Sequence, residues 1–581
     1  METYYTSEKN IQILIALLKA HGVKKIIVSP GTTNLTFVAS VQQDPFFEIY
    51  SSVDERSAAY IACGLAAETN EAVALSCTGA TASRNYMPGL TEAYYRKLPI
   101  LAITSTQHTG RIAHHIAQVI DRTVLPNDIT KLSIELPSVY TDEDIWACET
   151  KVNKALLALS HKGGGPVHIN LVTTYSKDFS IKNLPSVQMI TRVRSTDIQP
   201  SIPKGKTVVF VGAHRRWTSE LTSKLDIFCA KYDAAVFCDH TSNYRGKYQV
   251  IASLITNQSS YHSPCKDIDT LIHIGEVSGA YLSLQPKQVW RVNPDGEVRD
   301  TFAKLRYIFE MEEDEFFTKY ACDQADEYEE KDSFLVECKN EYERLFSKIP
   351  ELPFSNAWIA YKTAHLLPEN SVLHLGILNT LRCWNFFEIP KTVLGYSNTG
   401  GFGIDGDMSS LLGASFADNT RLYIGIFGDL AFFYDMNVLG NRHVGSNIRI
   451  MLINNGCGTE FKNYHHPAAR FKSDADFFMA AAGHYGNKSI KLVKHYAQDL
   501  GFEYLSASTK EAYLENIQRF LSPDILDKPL LFEVFTNAAD ESDALQMLYN
   551  LEVSVSGFAK NIIKKVLSEN DIQKLKKVIK R

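Results

Sequence analysis

Asp429, Asn455 and the backbone at Cys457 are the groups whose types and spacing point most directly to chemistry. They lie in RLYIGIFGDLAFFYDMNVLGNRHVGSNIRIMLINNGCGTEF, the stretch from Arg421 to Phe461. An apolar run over 422–427 predicts a buried strand, closed by Gly428-Asp429. Helical character follows to about Gly440, and a second apolar run over 448–453 predicts another strand, ending in Asn454-Asn455-Gly456. Such a strand–helix–strand unit gathers polar residues at the carboxyl ends of its strands, where open parallel sheets bind ligands. One carboxylate, one side-chain amide and a nearby carbonyl form a hard-oxygen set suited to Mg2+ with a diphosphate. Either half alone is an ordinary turn at a strand end.

Glu55 is a second candidate. It follows a predicted strand over 47–51 and precedes a small-residue helix, AAYIACGLAAET. By itself it reads as a solvated carboxylate favoured by a helix start. His114 and His115 are adjacent and cannot share one helix face, so on position alone they are surface or helix-start histidines. Glu460, in the segment after Cys457, reads equally well as a solvated side chain. The loop NTGGFGIDGD, from Asn398 to Asp407, leads into a helix. Its glycines let main chain approach a ligand closely, and Ile404 offers an apolar wedge.

The elements around these residues alternate. A helix over 8–21 is followed by a strand over 25–28, a helix over 34–40, the strand before Glu55, and strands over 72–77 and 98–104. After a Pro-containing linker at 197–206 come strands over 207–212, 234–238, 271–274 and 289–292. Further on, strands are expected over 371–375, 393–397 and 529–536. This is the pattern of doubly wound α/β domains. No GxGxxG phosphate loop follows a central strand, so bound FAD or NAD is not expected. The acidic run over 311–332 reads as a solvated helical surface, and the basic final segment NIIKKVLSENDIQKLKKVIKR as an amphipathic packing helix with a solvated Lys face rather than a membrane-surface helix.

With 581 residues, 45% of them hydrophobic, the chain is too long for one core and predicts about three domains. A net charge of −6 and the lack of basic runs exclude a nucleic-acid binder. No apolar stretch approaches a membrane span, and the first residues lack a signal-peptide pattern, so a cytoplasmic protein is expected. Ten scattered cysteines without a CxxC pair predict buried free thiols rather than zinc or disulfides.

A GD followed about one βα unit later by NN resembles the diphosphate motif of thiamine-diphosphate (ThDP) enzymes. SPG…DERSAA…CTGATA…NYMPGLTEA is similar, in order and spacing, to the pyrimidine-binding domain of the same enzymes. The resemblance implies a fold of three doubly wound parallel-sheet domains: pyrimidine-binding (1–185), central Rossmann-like (190–345) and diphosphate- and Mg2+-binding (350–581). It implies that Asp429, Asn455 and the Cys457 carbonyl hold the metal, and that Thr78, Gly403, Ile404, Gly428, Leu430 and Phe461 help bind ThDP. Glu55 would hydrogen-bond N1′ of the aminopyrimidine, where a buried carboxylate favours the imino tautomer. The family also implies a homodimer or homotetramer with active sites at the subunit interface.

Within this family, YSNTGGFGIDG and GDLAFFYDMNVL are similar to the menaquinone-pathway synthases of 2-succinyl-5-enolpyruvyl-6-hydroxy-3-cyclohexene-1-carboxylate (SEPHCHC). Those enzymes carry arginines where this chain has Thr33, Gln107 and Thr399. Threonine cannot replace their charge-assisted pairing with anionic substrates. The expectation is therefore a carboligase that decarboxylates a 2-oxoacid and passes the acyl anion to a carbonyl or enoyl acceptor other than that of the synthases. Thr33, Arg382 and Thr399 would contact substrate, Arg382 keeping one carboxylate contact. A competing expectation is a simple 2-oxoacid decarboxylase. Pyruvate decarboxylases carry a His-His pair in the equivalent loop, so Glu460 with His114 or His115 would relay a proton, with Gln118 near the substrate. The third is a silent ThDP-binding protein.

Overall fold

The computed structural model describes residues 4–280, 282–322, 332–484 and 488–552. The basic segment at 561–581 lies outside them. The chain divides into two compact units, Met1–Ile198 with Asp295–Glu310, and Gln199–Pro294 with Met311–Arg581.

The first unit is built on six parallel strands: β1 Lys25–Val28, β2 Glu48–Ser51, β3 Val73–Thr78, β4 Ile100–Thr106, β5 Leu132–Leu136 and β6 Val167–Val172. Their order is β2-β1-β3-β4-β6-β5. The inner strands β4 and β6 are buried along their whole length, as expected of near-continuous apolar runs covered by helices on both faces. The helices Glu55–Thr69 and Met87–Arg96 pack closely: a Cβ at Gly89 would lie 2.4 Å from the Ala59 Cβ. Small residues at this crossing explain why the predicted helix is so rich in alanine. Thr191–Arg194 runs parallel to Leu305–Glu310 in the same unit.

In the second unit, β7 Thr207–Val211, β8 Ala235–Cys238, β9 Gln249–Ile251, β10 Thr270–Ile274 and β11 Gln288–Val292 pair in parallel in the order β9-β8-β7-β10-β11. The last sheet contains β12 Val372–Leu375, β13 Leu394–Tyr396, β14 Tyr423–Gly428, β15 Ile448–Asn454, β16 Glu503–Ala507 and β17 Leu530–Phe535. Its order, β13-β12-β14-β15-β17-β16, repeats the topology of the first sheet. The fold class is therefore α/β with three parallel sheets, as the alternation predicts.

The expected strands lie within one or two residues of those observed. Two differences have physical causes. The acidic run is not simply solvated: the helix Glu313–Cys322 buries Phe316, Phe317 and Tyr320, whose spacing puts them on one face. Just past the strand expected over 371–375, where no helix was expected, a helix, Asn379–Trp384, starts after Leu378, which takes a left-handed φ of 65°. Among the described residues, no helix is long and apolar enough to cross a membrane. Among the described residues, nine cysteines are buried and free, Cys457 among them.

Candidate active site

The register of β14 against β15 sets Gly428 opposite Ile453. The chain leaves both strands at the same end of the sheet, next to the point where strand order reverses around β12. Gly428 is extended and caps the helix Asp429–Asp435. Asp429 is 4% exposed. Its Oδ1 accepts from the Leu430 amide at 2.8 Å and its Oδ2 from the Gly456 amide at 2.7 Å. Gly456 holds a φ of +78°, which turns its N–H toward that carboxylate. Asn455 Oδ1 accepts from the Cys457 amide at 3.4 Å. Asp429, Asn455 and Cys457 are thus brought together.

Burial lifts the Asp429 carboxyl to about 7, against backbone hydrogen bonds that pull the other way. Burial likewise raises the Cys457 thiol to about 12, helped by the Asp429 charge. Among the described residues no cationic side chain pairs with this carboxylate. The chemistry of the set, carboxylate, amide oxygen and carbonyl, fits a hard divalent ion. Leu430 and Phe461 meet at Gly458, where a Cβ would sit 3.1 Å from each side chain.

The glycine-rich loop lines an open groove with Ser397, Thr399, Gly403 and Ser410. Asp435 anchors the following helix by accepting from the Ser409 amide and hydroxyl, at 2.5 and 2.6 Å. Ile404 is half-buried against the cluster that contains Met408 and Phe427. Thr399 is 4% exposed.

Two further buried carboxylates adjoin this end of the sheet. Glu541, fully buried, accepts from the Asn356 amide, the Thr536 hydroxyl at 2.7 Å and the Asn379 amide nitrogen at 3.4 Å. Burial raises its carboxyl to about 7, with the Asp429 charge adding to the shift. Asp407 is raised to about 7 by burial as well. Sequence reasoning missed Glu541. Its signal was helical spacing, since it shares a buried face with Ala544, Leu545 and Leu548.

Arg382 and Glu460 form a two-point ion pair, Nη1 to Oε2 at 2.5 Å and Nη2 to Oε1 at 2.9 Å. Asn463 Nδ2 adds a bond to Glu460 Oε2 at 3.3 Å. Glu460 holds the Arg382 guanidinium firmly protonated against its burial. The pair sits in the wall of a cavity of about 690 Å³.

In the first unit, Glu55 starts the helix Glu55–Thr69, which Asp54 caps by accepting from the Arg56 and Ser57 amides. Glu55 is half-buried, and Asn85 Nδ2 donates to its Oε2 at 3.3 Å. Thr33 faces inward at 2% exposure: its hydroxyl donates to the Ser105 carbonyl at 2.9 Å and accepts from the Gly79 amide at 3.3 Å. Thr78 ends β3 beside Gly31. Gln107 accepts from the Arg111 guanidinium. His114, His115 and Gln118 are exposed on irregular chain, the last two with positive φ. Glu55 and Asp429 fall in different units.

Residues 9–125 match the thiamine pyrophosphate enzyme N-terminal TPP binding domain. The SEPHCHC synthase of Bacteroides fragilis is 31% identical, covering 94% of this chain and 99% of its own length. That of Bacteroides thetaiotaomicron is 30% identical over the same shares, and that of Flavobacterium johnsoniae 26% identical over 94% and 98%. Three parallel sheets, the strand-end motif and the matched domain define a thiamine-diphosphate-dependent enzyme. More narrowly, the chain belongs to the 2-succinyl-5-enolpyruvyl-6-hydroxy-3-cyclohexene-1-carboxylate synthase family.

Proposed function

We propose that the chain is a ThDP- and Mg2+-dependent carboligase that decarboxylates a 2-oxoacid and transfers the acyl anion to an acceptor carbonyl or enoyl group distinct from that of the SEPHCHC synthases. The observation that carries this reading is the Asp429–Gly456 contact at 2.7 Å, which joins both halves of the diphosphate motif around a buried carboxylate. Bound ThDP supplies an electron sink for loss of CO2. Asp429, Asn455 and the Cys457 carbonyl hold Mg2+, and Gly428, Leu430 and Phe461 line the cofactor. Gly403 and Ile404 border it from the glycine-rich loop, Thr78 from the first unit. Glu55 holds a proton at N1′ of the aminopyrimidine. The three-domain division, 1–185, 190–345 and 350–581, belongs to this reading. So does a homodimer or homotetramer, with Glu55 and Asp429 serving one site from different subunits.

Thr33, Gln107 and Thr399 replace arginines, and Arg382 is already neutralised by Glu460. Both favour an acceptor less anionic than isochorismate. The alternative is simple decarboxylation, with Glu460 and His114 or His115 relaying a proton and Gln118 near the substrate. Its support is weaker because both Glu460 oxygens are engaged by Arg382. The test is CO2 release from a panel of 2-oxoacids with ThDP and Mg2+, with Glu55→Gln as control. A 2-hydroxyketone product supports the carboligase, and a free aldehyde the decarboxylase. No release from any donor overturns both in favour of a silent ThDP-binding protein.

A further inference from the structure

The cavity of about 690 Å³ beside Arg382 is of the size that seats small molecules. Its charges do not balance. Arg382 is matched by Glu460 in the two-point pair. His262 bonds Asp267 at 2.7 Å. Lys266 is 8% exposed, and its Nζ donates to the Thr256 carbonyl at 2.9 Å and the Ser283 hydroxyl at 3.4 Å, both neutral acceptors. An ammonium offers three donors, so one remains for a ligand. Burial without a counter-charge costs free energy that an incoming anion offsets. Burial also lowers the Lys266 pKa from its ordinary value, with no acidic neighbour opposing the shift.

The rest of the wall is rich in hydroxyls and amides, including Ser260, Asn385, Asn463, Gln546 and Tyr549. Asn385 Nδ2 and Asn463 Oδ1 are buried there without a hydrogen-bond partner among the described residues. Such a wall suits a ligand that donates and accepts along its length. Besides Lys266, a second anionic group would meet the neutralised Arg382–Glu460 pair and the imidazoles of His262, His465 and His466, of which His262 is bonded to Asp267 and His466 Nδ1 accepts from the Ala468 amide.

We infer that this cavity binds a hydroxyl-rich monoanion, carboxylate or phosphate, with Lys266 as its anion anchor. That the ligand is the acceptor rests on the carboligase reading, whereas the binding does not. Isothermal titration of the full chain tests it with D-glucuronate, D-glucose 6-phosphate, neutral D-glucose and succinate. At least one sugar anion is expected to bind ten-fold or more tightly than glucose and than succinate, and the better of the two identifies carboxylate or phosphate. Lys266→Gln should abolish the preference and Lys266→Arg retain it. The inference is overturned if wild type shows no preference for either sugar anion, if Lys266→Gln keeps it, or if succinate binds best. Should Lys266→Gln not fold, modification of wild type by trinitrobenzenesulfonate with peptide mapping decides: the better-binding sugar anion must protect Lys266, and equal labelling refutes the assignment. Glu55→Gln must bind these probes as wild type does, so loss of CO2 release and loss of anion binding stay distinguishable.

Discussion

Arg382 and Glu460, 78 residues apart, meet through two parallel hydrogen bonds in the wall of the cavity of about 690 Å³. With side chains only 15% and 19% exposed, each is the other's main compensation for lost solvation. Removing one member of a buried pair costs roughly 3–5 kcal/mol because the other is stranded. Glu460→Gln should therefore lower the midpoint of thermal unfolding by several degrees. Arg382→Met combined with Glu460→Gln should restore more than half of the loss. Additive losses in the double variant would mean that the pair is not formed in solution.

Asp429 gives a pH signature. Its carboxyl is raised from the ordinary 3.8 to about 7. Between those values the unfolded chain releases a proton that the folded chain keeps, so Asp429 makes stability fall as pH rises from about 4 to about 7, then level off. Glu541, raised from 4.5, and Asp407, raised from 3.8, add the same sign over the same window. A divalent ion at Asp429, as the proposed function expects, would counter its share. Mg2+ at ~100 times its Kd should stabilise by about 2.7 kcal/mol, seen as a higher melting midpoint at pH 7.5. Asp429→Asn should abolish that gain while flattening the metal-free pH profile, and a Mg2+ shift that survives the substitution would sink the assignment.

Glu55 separates chemistry from folding. Its side chain accepts a long, 3.3 Å hydrogen bond from an exposed Asn85. Glu55→Gln should cut CO2 release by about 10²- to 10⁴-fold while leaving the unfolding free energy within about 0.5 kcal/mol of wild type. A large loss of stability would instead assign Glu55 a structural part.

Thr33 behaves oppositely. Its buried hydroxyl joins the Ser105 carbonyl to the Gly79 amide. Thr33→Val keeps the shape and strands both groups, at a cost of roughly 1–3 kcal/mol. Thr33→Ser should be close to neutral in the same melting assay. Equal midpoints for both variants would place the hydroxyl outside this bridge.

The parts of the fold legible in sequence were those with local patterns. Parallel strands covered on both faces leave apolar runs, and the Gly, Asp and Asn at their ends mark where β14 and β15 stop. Half-covered strands such as β5 and β16 mix polar and apolar residues without clear alternation and were not expected. The juxtaposition of Asp429 with the 455–457 turn followed from strand adjacency. The Arg382–Glu460 pair did not, because it depends on where two irregular segments come to rest. Each residue was a candidate separately, and no periodicity links positions that far apart. Lys266 carries no sequence signal either, since a single lysine beside Cys265 reads as surface until its burial is known.

The Gly456–Asp429 hydrogen bond also bears on kinetics. The loop after β15 is tied to the end of β14 by the protein's own backbone. On the proposed function, an arriving ion or diphosphate would meet a seat already set, and lose little rate to waiting for the loop to order. Loading should then follow a single exponential whose rate rises linearly with ligand concentration, without the plateau that a slow isomerisation imposes.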